Sequence, residues 1–390
     1  MNAKLFTCCL GFLLVGVAPA ADSLNVRLIG GCGTPDQACA VAVSGGLAYV
    51  ADGYAGLRVI SVVDPAHPVE VGSFDTPGFA RGVAVNANYA FVADRDSGLR
   101  VISVADSANP IEVGHCATPG RALDVTAAGN FVYVADDTFG LRVISVSDPA
   151  HPVEVGYYDT PGKAQSVAVS GSHAYVADGG EGVCVISVSD PAHPVRVGSY
   201  YLLTAQALGV AMNGDYLYVS SLPSTIFPGL LILSVADPAN PAMLGKCATN
   251  GWAWGVALGG DKAYVAADEA GLRVISVADA ANPVEVGHYD MPGWVNGVTA
   301  VGGYAYVAYG ENGLQIFQYY GVGVEESPGQ QVTSHKLAAT VVRSLPQGAV
   351  AFDALGRRVV NPKPGVYFVS YEPSAVSRQP TAVTKVIISR

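Results

Sequence analysis

Apolar residues in this chain come in short runs separated by turn residues, and the whole pattern repeats. In one unit, Tyr49-Val-Ala-Asp52 leads to Gly56-Leu-Arg-Val-Ile-Ser-Val62, then to an Asp64-Pro-Ala-His-Pro68 turn and the run Pro68-Val-Glu-Val-Gly72. A Thr76-Pro-Gly78 turn follows and enters Gly82-Val-Ala-Val85. Runs of this length, bounded by Gly, Pro and Asp, predict β-strands joined by tight turns, and no stretch carries a helical period. The Tyr-Val-Ala-Asp element returns at Phe91–Asp94, Tyr133–Asp136, Tyr175–Asp178, Tyr218–Ser221, Tyr264–Asp268 and Tyr306–Tyr309, at intervals of 42 to 46 residues. Four strands in about 42 residues is the size of one propeller blade, and a ring of blades protects the sheet edges. The expectation is an all-β, seven-bladed β-propeller, with the Val/Ala-rich strand innermost, where large side chains do not fit.

The ends predict how the ring closes. The seventh unit stops after three strands, at Gly313-Leu-Gln-Ile-Phe317. Before the first unit, Asn25-Val-Arg-Leu-Ile-Gly30 reads as an orphan fourth strand with its own Thr34-Pro35 turn. Pairing Val26–Ile29 with Leu314–Phe317 closes the circle and removes two exposed edges.

The repeated Leu-Arg-Val-Ile-Ser-Val-x-Asp strand, with Tyr-Val-Ala-Asp before it, resembles the LVIVD repeat of bacterial and archaeal cell-surface propellers over about residues 25–320. The resemblance implies an architecture and a location, and no settled activity.

After Gly321 the pattern changes. Glu325-Glu-Ser-Pro-Gly-Gln-Gln331 is polar and turn-rich, as a linker is. Four strand-like runs follow, Ala338–Leu345, Ala349–Phe352, Gly365–Tyr371 and Thr384–Ser389. The strings Phe352-Asp-Ala-Leu-Gly-Arg-Arg-Val359, Pro364-Gly-Val-Tyr-Phe-Val369 and Lys385-Val-Ile-Ile-Ser-Arg390 are similar to the type A sorting domain of the type IX secretion system. That resemblance implies a small Ig-like β domain read by the secretion machinery. The insertion Glu372–Val383 is longer than usual for it.

At the other end, Lys4 precedes the apolar stretch Leu5–Val17, and Ala18-Pro19-Ala20 offers small residues for cleavage, the layout of a signal peptide. The predicted organisation is a signal peptide at 1–20, a propeller at 21–321, a linker at 322–335 and a sorting-type domain at 336–390. No later run is long enough for a membrane-spanning helix. The net charge of −11, without any Lys/Arg cluster, argues against a nucleic-acid partner.

Candidate chemistry is sparse. His67, His151 and His193 share a turn position with Asn109, Asn240 and Asn282, which predicts a turn hydrogen bond and no metal site. Arg58, Arg100, Arg142 and Arg273 accompany Asp52, Asp94, Asp136 and Asp268, whereas units five and seven lack both, so an intrablade ion pair is expected. Asp178 faces Cys184 in place of an Arg. Cys32 and Cys39 flank one turn, and a disulfide between them would pin the ring closure. No catalytic residue, metal ligand or cofactor motif stands out.

Variation concentrates in two columns beside the Thr-Pro-Gly turns. The first holds Gln37, Phe79, Arg121, Lys163, Gln206, Trp252 and Trp294; the second holds Cys39, Arg81, Leu123, Gln165, Leu208, Trp254 and Asn296. All three Trp residues fall there, around one predicted mouth of the central channel. Either large side chains plug the mouth or they bind, and Trp and Arg are enriched where binding energy concentrates. The expected ligand-binding set is Phe79, Arg81, Arg121, Lys163, Gln165, Trp252, Trp254, Trp294 and Asn296. The preferred reading is an exported, non-enzymatic propeller binding a protein or glycan at or beyond the cell surface. A glycan-active hydrolase or lyase using Asp124 and Asp36 is the alternative, and a ligand-free spacer a third reading.

Overall fold

The computed structural model describes residues 23–222, 229–321, 340–342, 349–352, 358–359, 365–371 and 384–388. The chain divides into one unit ending at Glu325 and another from Glu326 to Arg390. The predicted signal segment, 1–20, and the predicted linker, 322–335, lie outside the described residues. In the first unit, seven antiparallel sheets form the blades of a propeller. Blade one runs outward from the channel as Ala38–Ser44, Leu47–Asp52, Leu57–Ser61 and Val69–Phe74, and the other blades repeat this meander. The innermost strands touch in an unbroken cycle, with blade seven's Gly297–Val301 returning to Ala38–Ser44.

The repeat motif follows from burial on two faces. Side chains alternate across a strand. Tyr49, Ala51, Leu57 and Val59 pack forward on Ala90, Val92, Ile102 and Val104 of blade two. Their neighbours Ala48, Val50, Ile60 and Val62 pack backward on Tyr306, Ala308, Leu314 and Ile316 of blade seven. A strand buried on both faces must be apolar at successive positions, and Tyr-Val-Ala and Val-Ile supply that.

Glycine in the Val-Glu-Val-Gly strand has a separate cause. A Cβ on Gly156 would collide with the carbonyl oxygen of Pro191, in the Asp-Pro turn of the next blade. Gly72, Gly114, Gly198 and Gly245 meet the following turns in the same way. A register shift beside each of these glycines bends the outer strand around that turn.

The ring closes as the sequence predicts. Val26 lies opposite Tyr319, Leu28 opposite Phe317 and Cys32 opposite Leu314, so Val26–Cys32 is the outer strand of blade seven. The chain end does more than expected, because Ser23–Leu24 adds a fifth strand to blade six, on Val284–Tyr289. Asn25 joins the two, with a left-handed φ of 55°. Its Nδ2 donates to the Val286 carbonyl at 2.8 Å, and its own carbonyl accepts from the Tyr320 N–H at 3.1 Å.

In the second unit, five strands form one mixed sheet in the order Thr340–Val342, Thr384–Ile388, Gly365–Tyr371, Ala349–Phe352, Arg358–Val359. Arg358–Val359 pairs antiparallel with Ala351–Phe352.

Val26 is buried with Phe317 and Tyr264 between blades six and seven. Val26→Asp places an unpaired carboxylate there and is expected to destabilise the propeller by about 3 kcal/mol. A lower urea midpoint with an unchanged slope is the result expected.

Candidate functional site

The channel mouth is built on one recurring clamp. Thr76 Oγ1 donates to Asp94 at 2.7 Å, and the Gly78 N–H donates to the other carboxylate oxygen at 2.8 Å. Thr118 and Gly120 bind Asp136, and Thr160 and Gly162 bind Asp178, in the same way. Thr34 and the Asp36 N–H do so with Asp52. In blades one to four the end of the second strand thereby fixes the turn that carries the chain from the preceding blade into its own inner strand.

The expected intrablade ion pair forms in blades one to three, as a contact longer than a hydrogen bond, and does not form in blade six. In blades one to three the Arg Nε lies 3.6–3.8 Å from the Asp, beyond hydrogen-bond distance, and has no hydrogen-bond partner. The short guanidinium contacts go outward, Arg58 to Asp75 and Arg142 to Asp159, each at 2.8 Å. Asp178 clamps its turn with no Arg at all, since Cys184 stands opposite. In blade six the buried Ala267 takes the clamp position, and Asp268 moves one residue on, with a left-handed φ of 51°. Arg273 accordingly pairs with Asp290 at 2.7 Å. In blades five and seven both clamp partners change, Leu202 with Ser221 and Met291 with Tyr309, whose hydroxyl donates to the Pro292 carbonyl; in blade six Thr249 stays and donates to the Gly251 carbonyl instead.

The expected Cys32–Cys39 bridge is absent, both thiols being free. Cys32 ends the outer strand of blade seven and Cys39 lies on the inner strand of blade one, so a whole sheet's width separates them. Each turn His bonds the Asp of its own turn, as His67 does with Asp64 at 2.9 Å, and the Asn of other blades copy this.

With the turns fixed, the second variable column converges. Cys39, Arg81, Leu123, Gln165, Leu208, Trp254 and Asn296 all line the channel, a cavity of about 190 Å³. Above it, a depression of about 360 Å³ is walled by Phe79, Arg81, Trp252, Trp254, Trp294 and Asn296 from the expected set. Gln37, Cys39, Arg95 and Asp268 complete it and were not in that set as ligand contacts. Arg121 and Lys163 do not line it. Arg95 and Asp268 follow the clamp position, where other blades have Gly53, Gly179 and Gly310 at positive φ. A charged residue in a glycine column was the available signal.

The depression is electrically divided. On blade two, the Arg95 guanidinium lies 4.1 Å from the centre of the Phe79 ring, which packs edge-on against Tyr54. Burial, then the nearby charges of Arg81 and Arg121, push the Arg95 pKa down. On blade six, Trp252 and Trp254 sit 6.2 Å apart at 61°. Burial and neighbouring Glu269 raise the Asp268 carboxyl, against a hydrogen bond from Trp254. Asp124 lies deeper, its pKa raised by burial, with Ser166 Oγ at 2.7 Å and the Val125 and Val167 N–H groups bonded to it.

The LVIVD repeat family matches seven successive segments, residues 35–76, 77–118, 119–160, 161–201, 205–249, 250–291 and 292–317. The chain belongs to the LVIVD-repeat family. By shape, this LVIVD propeller is similar to the computationally designed Ika8 protein (8% identity, TM-score 0.55, 75% of this chain and 99% of that one). It is also similar to U3-55K (12%, 0.59, 75% and 98%) and to a chain of the mitotic checkpoint complex (11%, 0.63, 82% and 100%). At these identities the likeness is one of fold alone. No curated protein matches the sequence.

Two outcomes test the clamp. Asp94→Ala leaves the Thr76 hydroxyl and Gly78 N–H without their acceptor and is expected to lower stability by about 2 kcal/mol in urea unfolding. The second concerns pH. Burial raises Asp52, Asp94, Asp136 and Asp178 above the ordinary 3.8 in the folded state. The folded protein then holds protons that the unfolded chain has released, so their stabilisation is complete below pH 3.8 and declines as pH rises through the raised value. Asp178→Asn keeps an acceptor for Thr160 and is expected to flatten that decline in thermal melts between pH 4 and 7.

Proposed function

We propose that this LVIVD propeller is an exported binding module that holds a glycan in the channel-mouth depression without transforming it. The observation carrying this reading is the pair Trp252 and Trp294, which stand 52% and 64% exposed beside Trp254. Large indoles are seldom left this open on a soluble surface, and their flat apolar faces match the C–H faces of pyranose rings. They stand on adjacent blades, and both wall the depression.

The hydrolase reading is less well supported. Glycoside hydrolysis ordinarily needs two carboxyl groups around one sugar. Of the described carboxylates, Asp268 alone lines the depression. The Asp124 oxygens are taken by Ser166 and two backbone N–H groups, and an Asp36 oxygen accepts the Tyr54 N–H at 2.6 Å.

Export and sorting belong to the same proposal. The Lys4 to Ala20 segment supports entry into the secretory route, and the motifs within 336–390 support recognition by type IX machinery and delivery to the cell surface or medium. Removing 336–390 in a host with that system is expected to retain the propeller inside the outer membrane, read by cell fractionation.

A glycan array followed by titration calorimetry tests the binding reading. Trp252→Ala and Trp294→Ala are each expected to weaken the best glycan about tenfold, or ~1.4 kcal/mol. Unchanged affinity in both variants, capture of protein partners only, or turnover abolished by Asp124→Asn would overturn it.

A further inference from the structure

Blade two carries a feature that sugar stacking does not explain. Arg81 and Arg95 both wall the depression. Other arginines of this sector have carboxylates, Arg100 with Asp94 and Glu112, and Arg121 with Asp96. Neither Arg81 nor Arg95 has an ion-pair partner among the described residues, and the Arg95 Nε is buried without a hydrogen-bond partner. Two guanidiniums face one partly desolvated cavity with donors to spare, and each feels the repulsion of the other.

The backbone adds a second, independent observation. Arg95 has φ of 45°, in a column where three blades use Gly53, Gly179 and Gly310. A long side chain is disfavoured in that conformation. The column's backbone job is met equally by Gly and Arg: Gly53 exchanges hydrogen bonds with Ala80, and Arg95 with Ala122. The fold therefore has no need of an Arg there, and what Arg adds is a cation stacked on Phe79 and aimed into the depression.

We propose that the ligand is an acidic glycan, whose carboxylate or sulfate docks on Arg81 and Arg95 while its ring lies on the tryptophans of blades six and seven. This rests on the glycan reading and narrows it to a substrate class. A planar carboxylate matches the guanidinium fork, and sulfate offers the same oxygens. Asp268, across the depression and bonded to Trp254, repels a second anion and sets the orientation.

The test compares matched polymers on the full-length mature protein. Polygalacturonate, alginate and hyaluronan are each titrated beside their methyl esters, which keep the rings and remove the charge; a sulfated galactan is titrated beside its desulfated form. Binding of at least one acidic member, at least tenfold tighter than its neutral twin, is expected. Arg95→Gly should abolish that difference, and its melting temperature should not fall, since Gly suits the backbone there. A carboxylate- or sulfate-specific response identifies which anion is used. Equal binding of charged and neutral twins would overturn the proposal and leave glycan binding standing. Binding of neither, with Trp252→Ala also silent, would overturn both.

Discussion

Everything in the propeller depends on each of its sheets being covered on both faces. A single LVIVD blade has no hydrophilic face to turn toward water: Tyr49 and Ala51 look one way, Ala48 and Val50 the other, and all four are buried. Such a sheet is stable only between two others, so a row of them must close. Closure brings the start of the chain to the end of the ring, where Val26–Cys32 pairs with Leu314–Tyr319. The contact is between elements nearly three hundred residues apart, and its loss would leave a three-stranded blade with Phe317 on an open flank.

A closed ring leaves the channel mouth as the place where sequence can change freely. The Asp–Thr clamp separates the two demands. In blades one to four Asp52, Asp94, Asp136 and Asp178 hold the turn backbones, while the side chains just beyond those turns change from Gln37 to Phe79, Arg121 and Lys163. In blades five and seven both clamp partners change, and blade seven substitutes a Tyr309 hydroxyl bound to the turn carbonyl, whereas blade six keeps Thr249 and loses only the Asp. A rigid frame with a variable rim suits recognition, because the contacting groups are ordered before any ligand arrives. The depression itself is asymmetric, with cations on blade two and indoles on blades six and seven. Seven nearly equal blades thereby make a site of low symmetry, suited to a ligand with an apolar part and a charged part.

Much of the fold was written in the chain. Period, strand number, closing strand and the two rim columns could all be read because they rest on local rules: side-chain alternation, turn residues and the recurrence of one motif. The sequence placed both columns at the channel mouth, and the structure puts the second one inside the channel, down to Gln165 and Asn296.

What the chain alone left undecided were questions of distance between segments. Correlated presence of Arg and Asp pointed to their pairing, and only the fold adds that the carboxylate also accepts from a turn Thr, as Asp94 does from Thr76, and that the guanidinium also reaches a second acid, as Arg58 reaches Asp75. One residue of backbone shift put Ala267 in the clamp and sent Asp268 to the depression, a displacement invisible in a motif read as a string. Likewise Cys32 and Cys39 are near in sequence but belong to different blades. A repeat fixes what each blade is, through contacts that recur; which unlike residues meet across the ring depends on non-local geometry, and only the tertiary structure decides it.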